Sequence, residues 1–344
     1  MKVLIVKLSS MGDLVQALPA LSDAAQAVPG IEFDWVVDEA FAEIPQWHPA
    51  VRRVVISAHR RWRKQLLSSA RRGDLRLFWR TLREERYDLV IDAQSGLKSG
   101  LVTRMARGTR AGPDKRSVRE YGAHWAYQRQ YRVSRDQLAV ERLRELFSVA
   151  LGYPKPDTAP DFGLSEQTWP SVSDRPESPY LVFVTNASWE TKCWPEEHWV
   201  QLLQQATQNG YQVLLPWGSP DEQARATRLA EAAGAGVQVL PRLSLSELAG
   251  LLNDSAGAVC NDTGLAHIAA SLDRPVVTVY GPTDPRLIGA TGRHSEHLVA
   301  EGISCASCRR NECQRTGGPE AQCLRAIEPE RVWQRLRHLQ ANAE

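Results

Sequence analysis

A chain of 344 residues, 43% hydrophobic and 24% charged, has the balance of a globular protein and room for two domains. No run approaches the ~18 apolar residues of a membrane span, and the "VLIV" run ends at Lys7, too short for a signal-peptide core. A cytoplasmic protein is expected, with any membrane contact peripheral. The net charge of +2 conceals an asymmetry. Lys and Arg outnumber Asp and Glu twelve to three over 52–86 and twelve to four over 98–144, so the first half is expected to prefer an anionic partner.

Short Val-, Ile- and Leu-rich runs alternate with helical periodicity. In the first half the predicted strands are 2–6, 33–37, 53–57 and 88–93, and the predicted helices are 13–27, 74–86, 97–107 and 137–151. Near-continuous apolar strands separated by helices predict a parallel sheet covered on both faces. Residues 152–180 hold six prolines and little periodicity, which marks an interdomain joint. A second series follows, with strands at 180–186, 211–218, 237–241, 257–262 and 275–282 and helices at 195–208, 220–233, 244–253, 264–272 and 328–341. The expected architecture is α/β, of GT-B type: two Rossmann-like, doubly wound domains facing a central cleft. The expected bounds are 1–165 for an N-terminal domain, 166–179 for the linker and 180–344 for a C-terminal domain. The last includes a Cys-rich loop, 303–324, and the C-terminal helix.

In open α/β sheets ligands bind at the carboxyl ends of the strands, so the loops there were read for chemistry. "KLSSMGD" joins the first strand to a helix and places Asp13 in the helix's first turn. A diphosphate would be repelled there. A carboxylate facing a sugar donor can instead deprotonate an acceptor hydroxyl; the plainer reading is an ordinary acidic first-turn residue. "TNASWETKCWPEEHW" offers the hydroxyls of Thr185 and Ser188, and Lys192 to neutralise a diphosphate, unless Lys192 is simply an exposed loop lysine. In "LPWGSPDE", Glu222 suits ribose hydroxyls or equally the helix dipole. Leu243, in "LPRLSLSEL", could contact a base. "CNDTGLAH" sets Thr263 and Gly264 at a helix start, where free N–H groups can hold phosphate or merely be capped. Asp262 reads as a cap or loop brace. Eleven tryptophans is a high count, and several, such as Trp62 and Trp79, sit among charges. Helix packing explains these, or an interfacial belt near lipid headgroups.

Taken together, "KVLIVKLSSMGDLVQALPAL", "FDWVVDEAFAEIP", "YDLVIDAQ", "KCWPEEHW", "VLLPWGSPDE" and "DTGLAHIAASLDRPVVTVYGPTDP" resemble the ADP-heptose:lipopolysaccharide heptosyltransferases of glycosyltransferase family 9. The likeness spans roughly 1–290 and is strongest to the branch that adds the first heptose to the Kdo of the inner core. It implies a metal-independent, inverting transfer of heptose from ADP-heptose to Kdo₂-lipid A, at the cytoplasmic face of the inner membrane. It further implies Asp13 as general base and Lys192 as diphosphate partner. Thr185, Ser188, Glu222, Leu243, Asp262, Thr263, Gly264 and His267 would line the donor site. Ser10, Arg60, Arg61, Arg63, Lys64 and Arg119 would meet the acceptor's phosphates and carboxylates.

Two features depart from the likeness. Ser188 stands where the likeness leads one to expect a threonine, a change that keeps the hydroxyl. The larger departure is a cysteine cluster. Cys305, Cys308, Cys313 and Cys323 follow the spacing C-x₂-C-x₄-C-x₉-C. A structural zinc or iron site would suit four cysteines in a reducing compartment, and so would free thiols. Sister heptosyltransferases that act on a heptosylated core carry a similar cluster, which keeps that acceptor as an alternative. A GT-B epimerase would call for further cleft carboxylates that the sequence does not show. A nucleic-acid-binding protein using the arginine-rich half would need a reading module, and none is recognisable; no nucleic-acid partner is expected.

Overall fold

The structure, a computed structural model, describes residues 1–64, 73–172, 175–177, 179–318 and 320–343. The chain divides into two compact units, Met1–Gln167 and Thr168–Glu344. Each carries a six-stranded sheet in which every adjacent pair of strands is parallel.

The first unit contains β1 (Lys2–Val6), β2 (Glu32–Asp38), β3 (Val51–Ser57), β4 (Tyr87–Asp92), β5 (Gly108–Pro113) and β6 (Arg129–Tyr131), in the order β3-β2-β1-β4-β5-β6. The chain winds outward from β1 in one direction and from β4 in the other. The switch point therefore lies between β1 and β4, and the loops leaving those two strands diverge to form a crevice. Both strands are buried on both faces, as crossover helices require. The expected helix over 13–27 is two helices, Met11–Val15 and Leu18–Ala27. Pro19 explains the break: it lacks an N–H and suits only the opening turn of the second helix. β5 and β6 escaped the sequence reading. One holds two glycines and a proline, the other is a three-residue polar edge, and neither shows the apolar run of a central strand.

Arg144, only 2% exposed, is the largest buried charge of this unit. It grips Asp23 with two hydrogen bonds (2.7 and 3.2 Å), bonds Glu141 at 3.0 Å, and donates to the carbonyls of Thr158 and Pro156. The helix Ala139–Leu151 is thereby tied to the helix Leu18–Ala27 and to the strand-free segment that follows it. Arg144→Leu should destabilise the unit by about 3–5 kcal/mol, because Asp23 is left buried without its cation. Urea unfolding would read this as a lower midpoint with an unchanged slope.

The second unit contains β7 (Tyr180–Val184), β8 (Gln212–Leu215), β9 (Val237–Val239), β10 (Ala258–Asn261), β11 (Val276–Tyr280) and β12 (Ser295–Val299), in the order β12-β11-β10-β7-β8-β9. Its switch point lies between β7 and β10. β12 is an edge strand with a mixed polar face, so its sequence carried no strand signal. Trp194 and Trp199 are fully buried, their rings 5.2 Å apart and near-perpendicular. The Trp194 indole donates to the carbonyls of Leu324 and Ile327 (3.1 and 3.0 Å), which fixes the loop two residues after Lys192.

The interfacial reading of the tryptophans is corrected for the two residues that prompted it. Trp62 is 7% exposed and packs edge-on against Phe78 at 5.3 Å, and Trp79 packs on the same cluster. Beside them, Arg80 is exposed and Arg61 turns to Glu39 and Asp74.

Candidate functional site

Each unit places its candidate residues around its own switch point. In the first unit β1 ends and the chain turns through 7–10. Ser10 then caps the helix Met11–Val15. Its backbone N–H and hydroxyl both donate to Asp13 Oδ2, at 3.0 and 2.8 Å, a capping box in which Asp13 occupies the third helical position. Asp13 is half-buried. Burial pushes its carboxyl upward, but the Lys7 charge and the two Ser10 bonds outweigh that, and it lies below the usual carboxylate range. The residue is therefore ionised at neutral pH and able to accept a proton. Lys7 itself is buried, 4% exposed, and donates to the carbonyl of Ala93 at 3.0 Å. Burial depresses its ammonium, opposed by the nearby Asp13 and Asp92 charges.

The loop after β4 is held just as firmly. Asp92 accepts from the N–H groups of Gln94 and Ser95 and from the Tyr127 hydroxyl (3.0, 2.8 and 2.7 Å). Gln94 in turn accepts from the N–H of Leu8 at 2.6 Å, joining the two loops across the switch point. Beside them opens a cavity of about 280 Å³ lined by Leu8, Ser9, Asp38, His59, Arg60, Gln94, Gly96, Lys98, Ser99, Arg119 and Glu120. The cations Arg60, Lys98 and Arg119 suit an anionic ligand. Arg60 also lies over the Phe41 ring at 4.9 Å, and Arg119 is anchored through its N–H to Ser95.

Arg60 and Arg119 thus reach the cavity wall as the sequence suggested. Arg61 does not. Its guanidinium forks onto Glu39 (3.1 and 3.1 Å) and reaches Asp74 at 2.9 Å, so two carboxylates already engage it. The side chains of Arg63 and Lys64 lie outside the described residues. Asp38, His59, Gln94 and Lys98 were not singled out from the sequence. The signal available for two of them was "DAQSGLKSG", a strand end followed by a glycine-led helix.

In the second unit the loops after β7 and β10 are laced together. The Asn261 amide donates to the Thr185 carbonyl at 2.7 Å and accepts from the Trp194 N–H at 3.1 Å. Lys192 closes a short 3-10 helix, Glu190–Lys192. Its ammonium lies 2.7 Å from Asp262 Oδ2, and the Thr283 hydroxyl donates to the same oxygen. Asp262 is 5% exposed. It is a brace: it aims Lys192 and pins the "YGPTDP" loop. Thr263 is the N-cap of the helix Gly264–Ser271, and its side chain makes no capping bond. The first-turn N–H groups are thus not covered by a cap side chain. Thr185 is fully buried and His267 nearly so, whereas Ser188 is exposed and Leu243 half-buried. Glu222 accepts from the Gly218 N–H at 2.7 Å, bracing its own loop, while Ser219 caps that helix.

The cysteine segment packs on this site. The N–H of Ser307 donates to the Gly281 carbonyl (2.9 Å), that of Arg309 to the Pro282 carbonyl (2.6 Å), and the Thr191 hydroxyl to the Arg310 carbonyl (2.9 Å). Cys305, Cys308, Cys313 and Cys323 all belong to this segment. All four are free thiols, and among the described residues no three Cys, His, Asp or Glu side chains are grouped to hold an ion. Cys323 is buried, Cys308 is exposed, and Cys305 Sγ accepts from the Arg315 guanidinium at 3.1 Å. Cys313 is the most readily ionised, drawn down to about 7 by backbone N–H groups. The segment's visible work is to brace the loops that hold Lys192. Thr191→Val should therefore lower stability by about 1 kcal/mol, the worth of one such bond, and Thr191→Ser should retain it; urea unfolding reads the difference.

Two Rossmann-like units, one with a basic cavity and an ionised carboxylate at its switch point and one with a lysine beside an open helix start, form the frame of a GT-B glycosyltransferase. The profile described as "Glycosyltransferase family 9 (heptosyltransferase)" matches residues 75–317. The chain is 49% identical to lipopolysaccharide heptosyltransferase 1 of Pseudomonas aeruginosa, over 91% of this chain and 87% of that one. It is also 49% identical to the enzyme of the same name from Escherichia coli, over 86% and 92%. The solved structure of the E. coli heptosyltransferase WaaC with ADP superposes with a TM-score of 0.86, at 43% identity, covering 98% of this chain and 100% of that one. The chain belongs to glycosyltransferase family 9, the heptosyltransferases. With that, the nucleic-acid reading of the arginine-rich half is set aside.

Proposed function

We propose that the protein transfers L-glycero-D-manno-heptose from ADP-heptose to a Kdo hydroxyl of Kdo₂-lipid A, with inversion, in building the inner core of lipopolysaccharide. The observation that carries the chemistry is Asp13: a carboxylate kept ionised at a helix start, beside a cavity whose walls are cationic. The relatives at 49% identity, both heptosyltransferases of the first kind, favour Kdo over a heptosylated acceptor.

Asp13 accepts the proton of the acceptor hydroxyl as that oxygen attacks the anomeric carbon. The bond from that carbon to the diphosphate oxygen breaks, and ADP leaves from the opposite face with the bonding pair. Lys192 and the Thr263–Gly264 helix start offset the charge that grows on the diphosphate. Thr185, Ser188, Glu222, Leu243 and His267 are assigned to the donor, and Arg60, Lys98 and Arg119 to the acceptor's phosphates and carboxylates. Because the acceptor is a lipid, the enzyme would work at the cytoplasmic face of the inner membrane, bound peripherally; no helix among the described residues is long and apolar enough to cross it.

The test is ADP release from ADP-heptose with Kdo₂-lipid A and, separately, with heptosyl-Kdo₂-lipid A. Release with the first alone is expected. Release only with the second would move the protein to the sister activity, and release with neither would sink the reading.

A further inference from the structure

The exposed aromatics of this protein are not the ones its sequence advertises. Eight large hydrophobic residues are exposed among those described, and four of them, Leu97 (56%), Leu101 (56%), Tyr121 (73%) and Trp125 (70%), come together. Leu97 and Leu101 share one face of the helix Leu97–Met105. Gly122 joins that helix to the aromatics: a Cβ on it would lie 3.3 Å from the Leu97 side chain and 3.4 Å from the Trp125 ring. The Tyr121 and Trp125 rings are 6.0 Å apart. The other four, Met1, Ile56, Leu77 and Val149, come one each from separate segments. Single exposed apolar residues are ordinary; a joined set of four marks a contact surface.

The patch is also held in place. Val118, Ala123, Ala126 and Tyr127 form a small buried cluster, Gly100 packs against Ala123 and Ala126, and Glu120 accepts from the Leu97 N–H at 2.8 Å. Its rim is cationic, with Lys98, Arg104 and Arg119 exposed. Trp and Tyr bordered by Lys and Arg is the composition of a bilayer interface, where the rings settle at headgroup level and the cations meet anionic lipid.

We propose that Leu97, Leu101, Tyr121 and Trp125 form the surface by which this protein docks on a bilayer containing anionic lipid. Its position supports this. Gly96, Lys98, Ser99, Arg119 and Glu120, interleaved with the patch residues along the same two segments, line the basic cavity. A lipid headgroup can therefore enter that cavity while its acyl chains stay in the bilayer, which rests on the lipid acceptor proposed above. Side chains this exposed fit a membrane surface better than one acyl chain, which needs a groove to enclose it.

The experiment is co-sedimentation of the full chain with vesicles of phosphatidylcholine alone and of phosphatidylcholine mixed with phosphatidylglycerol, for wild type and for Tyr121→Ser/Trp125→Ser and Leu97→Ser/Leu101→Ser. Wild type should bind the anionic vesicles, and each double variant should bind roughly tenfold more weakly, with its thermal midpoint unchanged because the altered side chains are exposed. Turnover of a water-soluble, deacylated acceptor should be unaffected, while turnover of vesicle-embedded acceptor falls. Equal vesicle affinity of variants and wild type, or no binding by wild type, overturns the proposal. So does a variant that binds vesicles normally but is slow only on dispersed, acylated acceptor, since the patch would then hold the acceptor's own chains. Self-association lost in the variants with vesicle binding intact would assign the patch to a second copy instead. Vesicle binding is read without substrates, so failure of the heptosyl-transfer reading leaves this test standing.

Discussion

Asp13→Asn should lower kcat by about 10²–10⁴-fold, the usual worth of a general base, and leave ADP-heptose affinity nearly unchanged. Asparagine keeps the shape of the side chain, and its amide oxygen can still accept from Ser10, so the helix cap survives and stability should move little. What disappears is the group proposed to take the proton. A kcat loss smaller than tenfold would place the base elsewhere. The pH profile provides a second check. Lys7 and Ser10 hold the Asp13 carboxyl below its usual range despite burial, so protonation of the base should not limit kcat/KM until the pH falls below about 4. The linkage has the same sign. A carboxyl depressed in the folded state contributes stability above its unfolded value of about 3.9, and that contribution is lost as the pH falls through the folded value. Lys7→Met removes the nearest cation, and the acid limb of the profile should then move upward.

Lys192→Met is expected to cost about 10²–10³-fold in kcat, comparable to removing one preorganised donor from a developing charge. The variant carries a complication that the structure makes explicit. Lys192 is 2.7 Å from Asp262, which is 5% exposed, so removing the ammonium also leaves a buried carboxylate without its cation. Asp262→Asn separates the two effects. It preserves an acceptor for Thr283 and releases Lys192. In a double-mutant cycle, a loss of kcat that persists in the Lys192→Met/Asp262→Asn pair belongs to the leaving group. A loss abolished in the pair belongs to the brace, and Lys192 would then be a positioning residue.

The pattern of strands and helices was legible because the central strands β1, β4, β7 and β10 are covered on both faces. Burial on both sides demands an unbroken apolar run, which any window along the sequence reveals. The edge strands β6 and β12, and β5 next to the edge, were missed because their runs dissolve into polar residues, glycine and proline. The ends of the central strands followed directly, and with them Asp13, Lys192 and Thr263, because turn chemistry is local.

Contacts between distant segments were not legible. Nothing in "RRWRK" distinguishes an arginine forked onto Glu39 and Asp74 from one free to meet a phosphate, since the partners lie 22 and 13 residues away. The tryptophans left two readings open from sequence alone. Packing holds for Trp62, which is core, while Trp125, in the quieter "GAHWAY", faces outward. The cysteines set an attractive spacing, but spacing does not show where side chains meet in space, and among the described residues no three donors are grouped to hold an ion. The sequence by itself determined two doubly wound halves, the strand ends that carry the candidate residues and the charge of the first half. Periodicity, turn residues and composition are properties of neighbours along the chain. Tertiary structure alone decided which cations line the cavity, that Asp262 aims Lys192, and which aromatics meet solvent. Each of these depends on side chains brought together by strand order, which parallel crossovers fix only when the whole sheet has formed.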